Sequence, residues 1–138
     1  MYENILLATD GSEHSIRAAE HAFNLATLYS NTKVTIIYVI SDASAKEDVI
    51  HNWGKDMKQI RKEKLLLIEQ KARHARIEYE IVFLHGEPGP TIVQYANEKV
   101  FNLVVVGSRG LNTLQEMVLG SVSHKVAKHV HCPVLIIK

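Results

Sequence analysis

The sequence lacks most of the features that mark secreted, membrane or nucleic-acid-binding proteins. Its one cysteine, Cys132, cannot form an internal disulfide, which favours a reducing compartment. Lysine plus arginine (16) nearly balances aspartate plus glutamate (15), so the chain has no basic excess that would attract duplex nucleic acid or an anionic membrane. The longest apolar run is Ile36 to Ile40, far below the ~20 residues that a membrane span needs. The N-terminal residues show no secretory signal. We therefore expect a cytoplasmic protein with neither nucleic acid nor membrane as a partner.

Proline is also scarce, with 3 residues, whereas 46% of the chain is hydrophobic, a composition that excludes a disordered or low-complexity protein. The 138 residues are close to the usual size of one domain and are enough to bury a core without disulfides or metal. No internal repeat or Pro/Gly-rich linker divides the sequence. We expect a single domain over residues 1–138.

Five short apolar segments alternate with longer segments of helical periodicity. Runs this short that are rich in Val and Ile fit strands better than helices. All but the third are apolar at consecutive positions, which is typical of parallel strands covered by helices on both faces. The third alternates and is expected at a sheet edge. The pattern predicts an α/β fold, a doubly wound five-stranded parallel sheet with helices on both faces. The segments are 5–8, 34–40, 79–84, 103–106 and 134–137.

Three of the intervening segments have a recognisable helix start. One follows Ser12 and one begins near Pro90, which suits a first helical turn. The third begins at Ser121, which we expect to be its N-cap because a serine oxygen accepts hydrogen bonds from the free N–H groups of the first turn. A fourth helix is expected within 46–76, where we interpret the charged run 55–64 as a solvated face.

Open parallel sheets bind ligands beyond the carboxyl ends of the strands, where the strand order reverses. Thr9-Asp10-Gly11-Ser12 follows the first strand, and Gly107-Ser108-Arg109-Gly110 follows the fourth. If both loops serve one ligand, the first and fourth strands must be neighbours. The sequence therefore favours the strand order 3-2-1-4-5 over 2-1-3-4-5.

The second loop has the spacing of a phosphate site. Gly107 and Gly110 allow a tight turn with N–H groups close to an anion, and Gly120-Ser121 opens a helix whose positive end suits a phosphate. We expect Gly120 to lie where a backbone N–H faces the phosphate. The alternative interpretation is a set of ordinary loop glycines and a helix cap. A cation and two hydroxyls would complete the site: Arg109, Ser121 and Ser123.

Several better-known kinds of site are excluded because their sequence motifs are absent. Neither G-x-x-x-x-G-K-[ST] nor a G-x-G-x-x-G after the first strand occurs, so the chain is neither a Walker-type NTPase nor a dinucleotide-binding protein. His129, His131 and Cys132 match no standard zinc spacing, so we expect no metal ligands there. The serines lie outside any G-x-S-x-G motif, which argues against a serine hydrolase, and we assign no catalytic residue.

Three stretches, ILLATDGSEHS, HGEPGPTIVQYA and VVVGSRGLNTLQEMVLGSVSHKVAKHVHCPVLIIK, closely resemble the universal stress protein family. The pattern G-x2-G-x9-G-[ST] of its nucleotide-binding members is matched by Gly107, Gly110, Gly120 and Ser121. The resemblance implies ATP as the ligand, with Asp10 near the ribose and adenine and the main chain of Val39 at the adenine. The full set of implied contact residues is Ala8, Thr9, Asp10, Val39, Val106, Gly107, Arg109, Gly110, Gly120, Ser121, Val122 and Ser123.

For Asp10 we favour contact with ATP, or with a Mg or Mn ion held by the ATP phosphates, over an Asx turn or a catalytic base. The expected function is that of an ATP-binding stress-response regulator whose nucleotide state changes the surface offered to an unidentified protein partner. The alternative is a slow metal-dependent ATPase or nucleotide hydrolase. An interaction module that never meets nucleotide is the least favoured interpretation.

The last strand, Val134 to Ile137, is expected at the other sheet edge. It is wholly apolar, and neither proline nor charge protects it before Lys138. We therefore expect a twofold homodimer through this strand, and the resemblance implies the same. The alternative is a monomer whose edge is covered by a helix or by the 46–76 segment.

Overall fold

The computed structural model describes residues 1–40, 57–109 and 119–138. Residues 41–56, which include Trp53 and the first part of the expected 46–76 helix, and residues 110–118 lie outside this description. None of the described helices is long and apolar enough to cross a lipid bilayer. The described elements are β1 (Asn4–Thr9), α1 (Glu13–Thr27), β2 (Lys33–Ile40), α2 (Met57–Ala75), β3 (Glu78–His85), α3 (Pro88–Glu98), β4 (Leu103–Gly107), α4 (Ser121–His129) and β5 (Val134–Ile137).

The strands form one parallel sheet in the order β3-β2-β1-β4-β5. At its centre, Ile5 of β1 lies opposite Val34 of β2 on one side and Leu103 of β4 on the other. This confirms the predicted order 3-2-1-4-5, with β3 and β5 at the edges. The order reverses between β1 and β4, so the carboxyl ends of these two strands define the expected ligand cleft.

Helices cover both faces of the sheet and divide the core into two layers. Along β1, Ile5 and Leu7 pack in the layer that contains α1 and α2, whereas Leu6 and Ala8 pack in the layer that contains α3 and α4. Successive strand residues point to opposite faces, so a strand covered on both sides must be apolar at every position. This is why consecutive apolar residues predicted the central strands correctly.

The amino ends of β1 and β4 are held level by Asn102. The Asn102 Oδ1 accepts hydrogen bonds from the main-chain N–H groups of Glu3 (2.9 Å) and Asn4 (2.8 Å). The main-chain N–H of Asn102 donates to the main-chain oxygen of Asn4 (2.8 Å). Because this contact fixes the register of the two strands, it also fixes the relative height of the loops at their other ends.

The helix α4 begins at Ser121, as predicted, but the predicted N-cap is wrong by one residue. The N-cap is Gly120, in an extended conformation, and Ser121 is the first helical residue. The Ser121 side chain therefore makes no capping bond. Instead the hydroxyl of Ser123, inside the first turn, donates to the Gly120 oxygen (3.0 Å) and anchors the helix start from within. By contrast, α1 follows Ser12 as predicted, and the structure shows Ser12 to be its N-cap, accepting from the N–H of Ser15.

Candidate functional site

The loop after β1 is a tight turn that leads directly into α1. Asp10 Oδ1 accepts from the N–H of Ser12 (2.9 Å), which is the geometry of an Asx turn. Gly11 has φ +84°, a conformation that favours glycine. The Asx-turn alternative for Asp10 is therefore present and uses one carboxylate oxygen; a ligand contact of Asp10 stays a prediction.

Thr9 directs its hydroxyl into this turn. Its Oγ1 donates to Ser15 Oγ (3.0 Å) and accepts from the N–H of Gly11 (3.3 Å). Because neighbouring strand residues point to opposite faces, the Thr9 side chain lies on the α1 face and that of Ala8 on the α3 and α4 face. The implied pocket at Ala8 can therefore include the main chain of Thr9 but not its side chain.

Ser108 joins the two glycine-containing segments. Its main-chain oxygen accepts from the N–H of Gly120 (2.8 Å) and from Ser123 Oγ (2.8 Å). The contact of Gly120 with nucleotide stays a prediction, but its own N–H already donates within the protein. The physical reason is that Ser108 is buried, and a buried carbonyl group requires donors from the chain around it.

The donors available to an anion are the next amides along the chain. The first hydrogen bond within α4 runs from the N–H of His124 to the Gly120 oxygen (3.0 Å). The N–H groups of Ser121, Val122 and Ser123 precede it, at positions that have no acceptor within a helix. They lie at the positive end of the helix dipole. The Ser121 hydroxyl is exposed, whereas that of Ser123 is buried and already donating, so only Ser121 can offer a hydroxyl as well as an amide.

Gly107 lies in close contact with the first turn of α1. A Cβ added to it would lie 2.9 Å from His14 Cβ and 3.0 Å from the His14 carbonyl carbon. This glycine therefore has a packing role that the spacing did not reveal, and its contact with nucleotide stays a prediction. Gly110, the second glycine of the motif, lies outside the described residues.

The carboxyl ends of three strands carry a buried apolar wall on the α3 and α4 face. Ala8, Val39 and Val106 belong to one packed cluster there, and each is at most 8% exposed. They come from β1, β2 and β4, so the fold brings together three residues that lie far apart in the sequence. Val122 is half-buried and packs against the same cluster. Arg109 lies half-buried directly after Ser108.

His14 is a site residue that the sequence analysis missed. Its Nδ1 lies 3.4 Å from Ser108 Oγ and 3.1 Å from Arg17 Nη2. Burial and the cations of Arg17 and Arg109 lower the pKa of His14, while a hydrogen bond with the main chain of Ile137 and the Asp10 charge act in the opposite direction. The one available signal was its position, two residues after Ser12, at the start of a predicted helix.

Ser108, His14 and Asp10 contain the residue types of a hydrolase triad, but their arrangement does not fit one. The Ser108–His14 separation exceeds the ~2.6–3.2 Å expected of an activated nucleophile, and Arg17 occupies the same imidazole nitrogen. Asp10 directs a carboxylate oxygen to the main chain of Ser12. The constellation is therefore suited to holding the loops together rather than to nucleophilic attack.

Within the three described ranges, no group of three or more His, Cys, Asp or Glu side chains could hold a metal ion. Burial raises the pKa of the Cys132 thiol, which disfavours the thiolate that a metal requires. A groove of about 670 Å³ lies elsewhere, between α1 and α2, with Phe23, Leu67 and the Glu20–Lys71 ion pair in its lining. None of the predicted site residues that the structure describes lines this groove.

Comparison with known proteins gives a consistent result. The model of the universal stress protein family matches residues 1–138. The universal stress protein YxiE of Bacillus subtilis is 36% identical, and the alignment covers 100% of both chains. The solved structure of hypothetical protein MJ0577 has a TM-score of 0.82 at 28% identity, covering 100% of this chain and 96% of that one. A universal stress protein in complex with cAMP has a TM-score of 0.72 at 30% identity, covering 99% and 97%.

Proposed function

This chain belongs to the universal stress protein family, and from that premise we propose that it binds ATP in the cleft between the carboxyl ends of β1 and β4. One observation carries the proposal. The first turn of α4, with three consecutive amides that have no acceptor within the helix, is tied to Ser108 directly beyond β4. The neighbour at 30% identity in complex with cAMP supports an adenine nucleotide as the ligand.

The fold suggests how the nucleotide lies. We place the adenine against the apolar wall formed by Ala8, Val39 and Val106. The phosphates lie at the start of α4, where the 121–123 amides donate, and Arg109 supplies a cation nearby. Asp10 and Gly110 complete the proposed contacts.

The residues present also fit a Mg²⁺ or Mn²⁺ ion bound together with the nucleotide. These cations prefer carboxylate and phosphate oxygens, and they usually bind through one or two carboxylates plus the phosphates of the ligand. Asp10 would be the protein ligand. The ion would neutralise part of the triphosphate charge, and Asp10 would hold the ion near the end of β1.

We propose binding, rather than turnover, as the function of this site. The described residues offer amides, a cation, a hydroxyl and one carboxylate, which are binding groups, and the Ser108–His14 geometry does not activate a nucleophile. The protein would act as one cytoplasmic domain in the stress response. Its nucleotide state would change the surface around α4 that meets a protein partner.

A single substitution tests the amide contact. Proline at position 121 removes one N–H, and the first helical position tolerates proline, especially after Gly120 with φ −61° and ψ 158°. Ser121→Ala is the matched control, because it removes the hydroxyl and keeps the amide. Hydrogen bonds to charged groups contribute ~1.5–3 kcal/mol. We therefore expect Ser121→Pro to bind ATP about tenfold or more weakly than Ser121→Ala by calorimetry, with both variants folded. Equal affinities would remove the α4 amides from the site.

We also propose that the protein is a homodimer through β5. Within the described residues this edge strand pairs with β4 alone, and three of its four apolar residues are only half-buried. Pairing with a second copy would satisfy its outer N–H and C=O groups. Light scattering on a size-exclusion column should give twice the 15.5 kDa mass of one chain. A mass of one chain at millimolar loading would contradict the dimer.

A further inference from the structure

Ser108 is held from outside its own loop by β5 and α1. Its N–H donates to the Ile137 oxygen (2.7 Å), and its Oγ lies 3.4 Å from His14 Nδ1. The main-chain oxygen of Ser108 accepts a hydrogen bond from the N–H of Gly120, the N-cap of α4, and so holds the start of that helix. A residue that holds the contacts of Ser108 with Ile137 and His14 in place therefore also holds the amides at the start of α4 in place.

Arg17 connects these two contacts with one guanidinium group. Its Nε donates to the main-chain oxygen of Lys138 (3.0 Å), directly after Ile137, and its Nη2 donates to His14 Nδ1 (3.1 Å). A planar guanidinium presents donors in fixed directions, so one side chain can hold the end of β5 and the imidazole ring at the same time.

We propose that Arg17 and His14 are positioning residues for the nucleotide site: they hold the end of β5 against Ser108 and thereby hold the first turn of α4 in place. The importance of that turn for nucleotide rests on the proposed function. The contacts themselves do not depend on it. Neither residue needs to touch the ligand, because each acts through Ser108.

The contact between Arg17 and His14 requires a neutral imidazole. Nδ1 must keep its lone pair to accept from Arg17, and a protonated histidine has only donors. The charged groups that face His14 are Arg17 on α1, Arg109 after β4 and Asp10 after β1, and the main chain of Ile137 on β5 also bonds to it. Because the folded protein lowers the pKa of His14 below its usual 6.5, the contact is present at neutral pH and is lost as the pH falls below that value.

Amide hydrogen exchange of Ser108 in the nucleotide-free protein tests the positioning role directly. In Arg17→Ala we expect the Ser108 amide to exchange at least tenfold faster than in the wild type, and ATP to bind at least fivefold more weakly. Arg17→Lys keeps the charge but reaches only one of the two acceptors, so we expect intermediate values. Arg73→Ala is the matched control. Arg73 also makes two side-chain hydrogen bonds, to Glu69 and Tyr79, but it lies on α2, away from the cleft, and both readouts should stay at wild-type values.

A pH profile separates positioning from general stability. His14→Asn supplies a non-titrating acceptor, so its ATP affinity at pH 7 serves as the reference for its own affinity at lower pH. Relative to that reference, it should lack the extra loss of affinity that the wild type shows as the pH falls below 6.5, because the folded protein lowers the pKa of His14 from that value. The titration of ATP itself is common to both proteins and cancels in the comparison.

Each outcome is decisive. If Arg17→Ala and Arg73→Ala have the same Ser108 exchange rate, the inference is wrong whether or not ATP binds. If Arg17→Ala accelerates exchange but the wild type binds no ATP, the proposed function fails and the hold on Ser108 stands. If Arg17→Ala does not fold, Arg17→Lys and His14→Asn carry the test. The inference is then overturned if the Ser108 amide of Arg17→Lys exchanges at the wild-type rate and His14→Asn loses ATP affinity at low pH as the wild type does.

Discussion

The close contact between Gly107 and α1 leads to a prediction about stability. A Cβ at position 107 would lie 2.9, 3.0 and 3.1 Å from His14 Cβ, C and O, whereas carbon atoms pack best at ~3.5–4.0 Å. Two of the three atoms are main chain, so no change of rotamer can relieve the overlap. The helix cannot easily retreat, since it is capped by Ser12 and buries Phe23 in the core. Gly107→Ala should therefore lower the free energy of unfolding by ~1–3 kcal/mol, the usual cost of overpacking.

Gly89→Ala is the matched control for this substitution. Gly89 is also buried, but its added Cβ would meet Lys125 Cδ at 3.0 Å, and that exposed side chain can move away. Alanine also costs less backbone entropy than glycine in a helix, so this variant should be as stable as the wild type or slightly more stable. Urea unfolding measures both. With a slope of ~1–3 kcal/mol per molar, the midpoint of Gly107→Ala should fall by about 1 M. Equal midpoints for the two variants would refute the packing role of Gly107.

Three further predictions concern other parts of the chain. Asn102→Ala removes the acceptor for two main-chain amides and should destabilise the protein by ~1–2 kcal/mol in thermal unfolding, whereas Asn102→Asp, which keeps an acceptor oxygen, should lose much less. Because burial raises the pKa of Cys132, iodoacetamide should alkylate it more slowly in the native protein than in urea at pH 8, and equal rates would contradict that burial. ATP turnover should stay far below the ~10 per second of a median enzyme, and fast metal-dependent phosphate release that is lost in Asp10→Asn would instead support the hydrolase alternative.

The fold could be predicted from the sequence because its signals are local and repeated. Each central strand contains a short apolar run, because burial on both faces leaves few polar positions to obscure the pattern; Thr9 of β1 and Thr35 of β2 are the buried polar exceptions. Ser12 and Pro90 mark helix starts through their own chemistry, which does not depend on the rest of the fold. The strand order followed from requiring the loops after the first and fourth strands to share one cleft.

The details of the site could not be predicted because they depend on how distant segments meet. Gly107 contacts His14 only when α1 packs on the end of β4, and no spacing in the sequence encodes that approach. Similarly, Gly120 donates its amide to Ser108 because the fold buries the Ser108 carbonyl there. The motif gave the location of the α4 start correctly, but tertiary contacts decide which of its amides are left for a ligand.

The central claim is that the first turn of α4 receives the phosphates, and an amide NMR titration with Mg-ATP tests it most directly. We predict that the amide protons of Ser121, Val122 and Ser123 move downfield together with a single saturable affinity, because each gains a charged acceptor. The Gly120 amide, which already donates to Ser108, should shift less. Saturable ATP binding that leaves the 121–123 amides unmoved, or that shifts the amides lining the groove between α1 and α2 instead, would contradict the account.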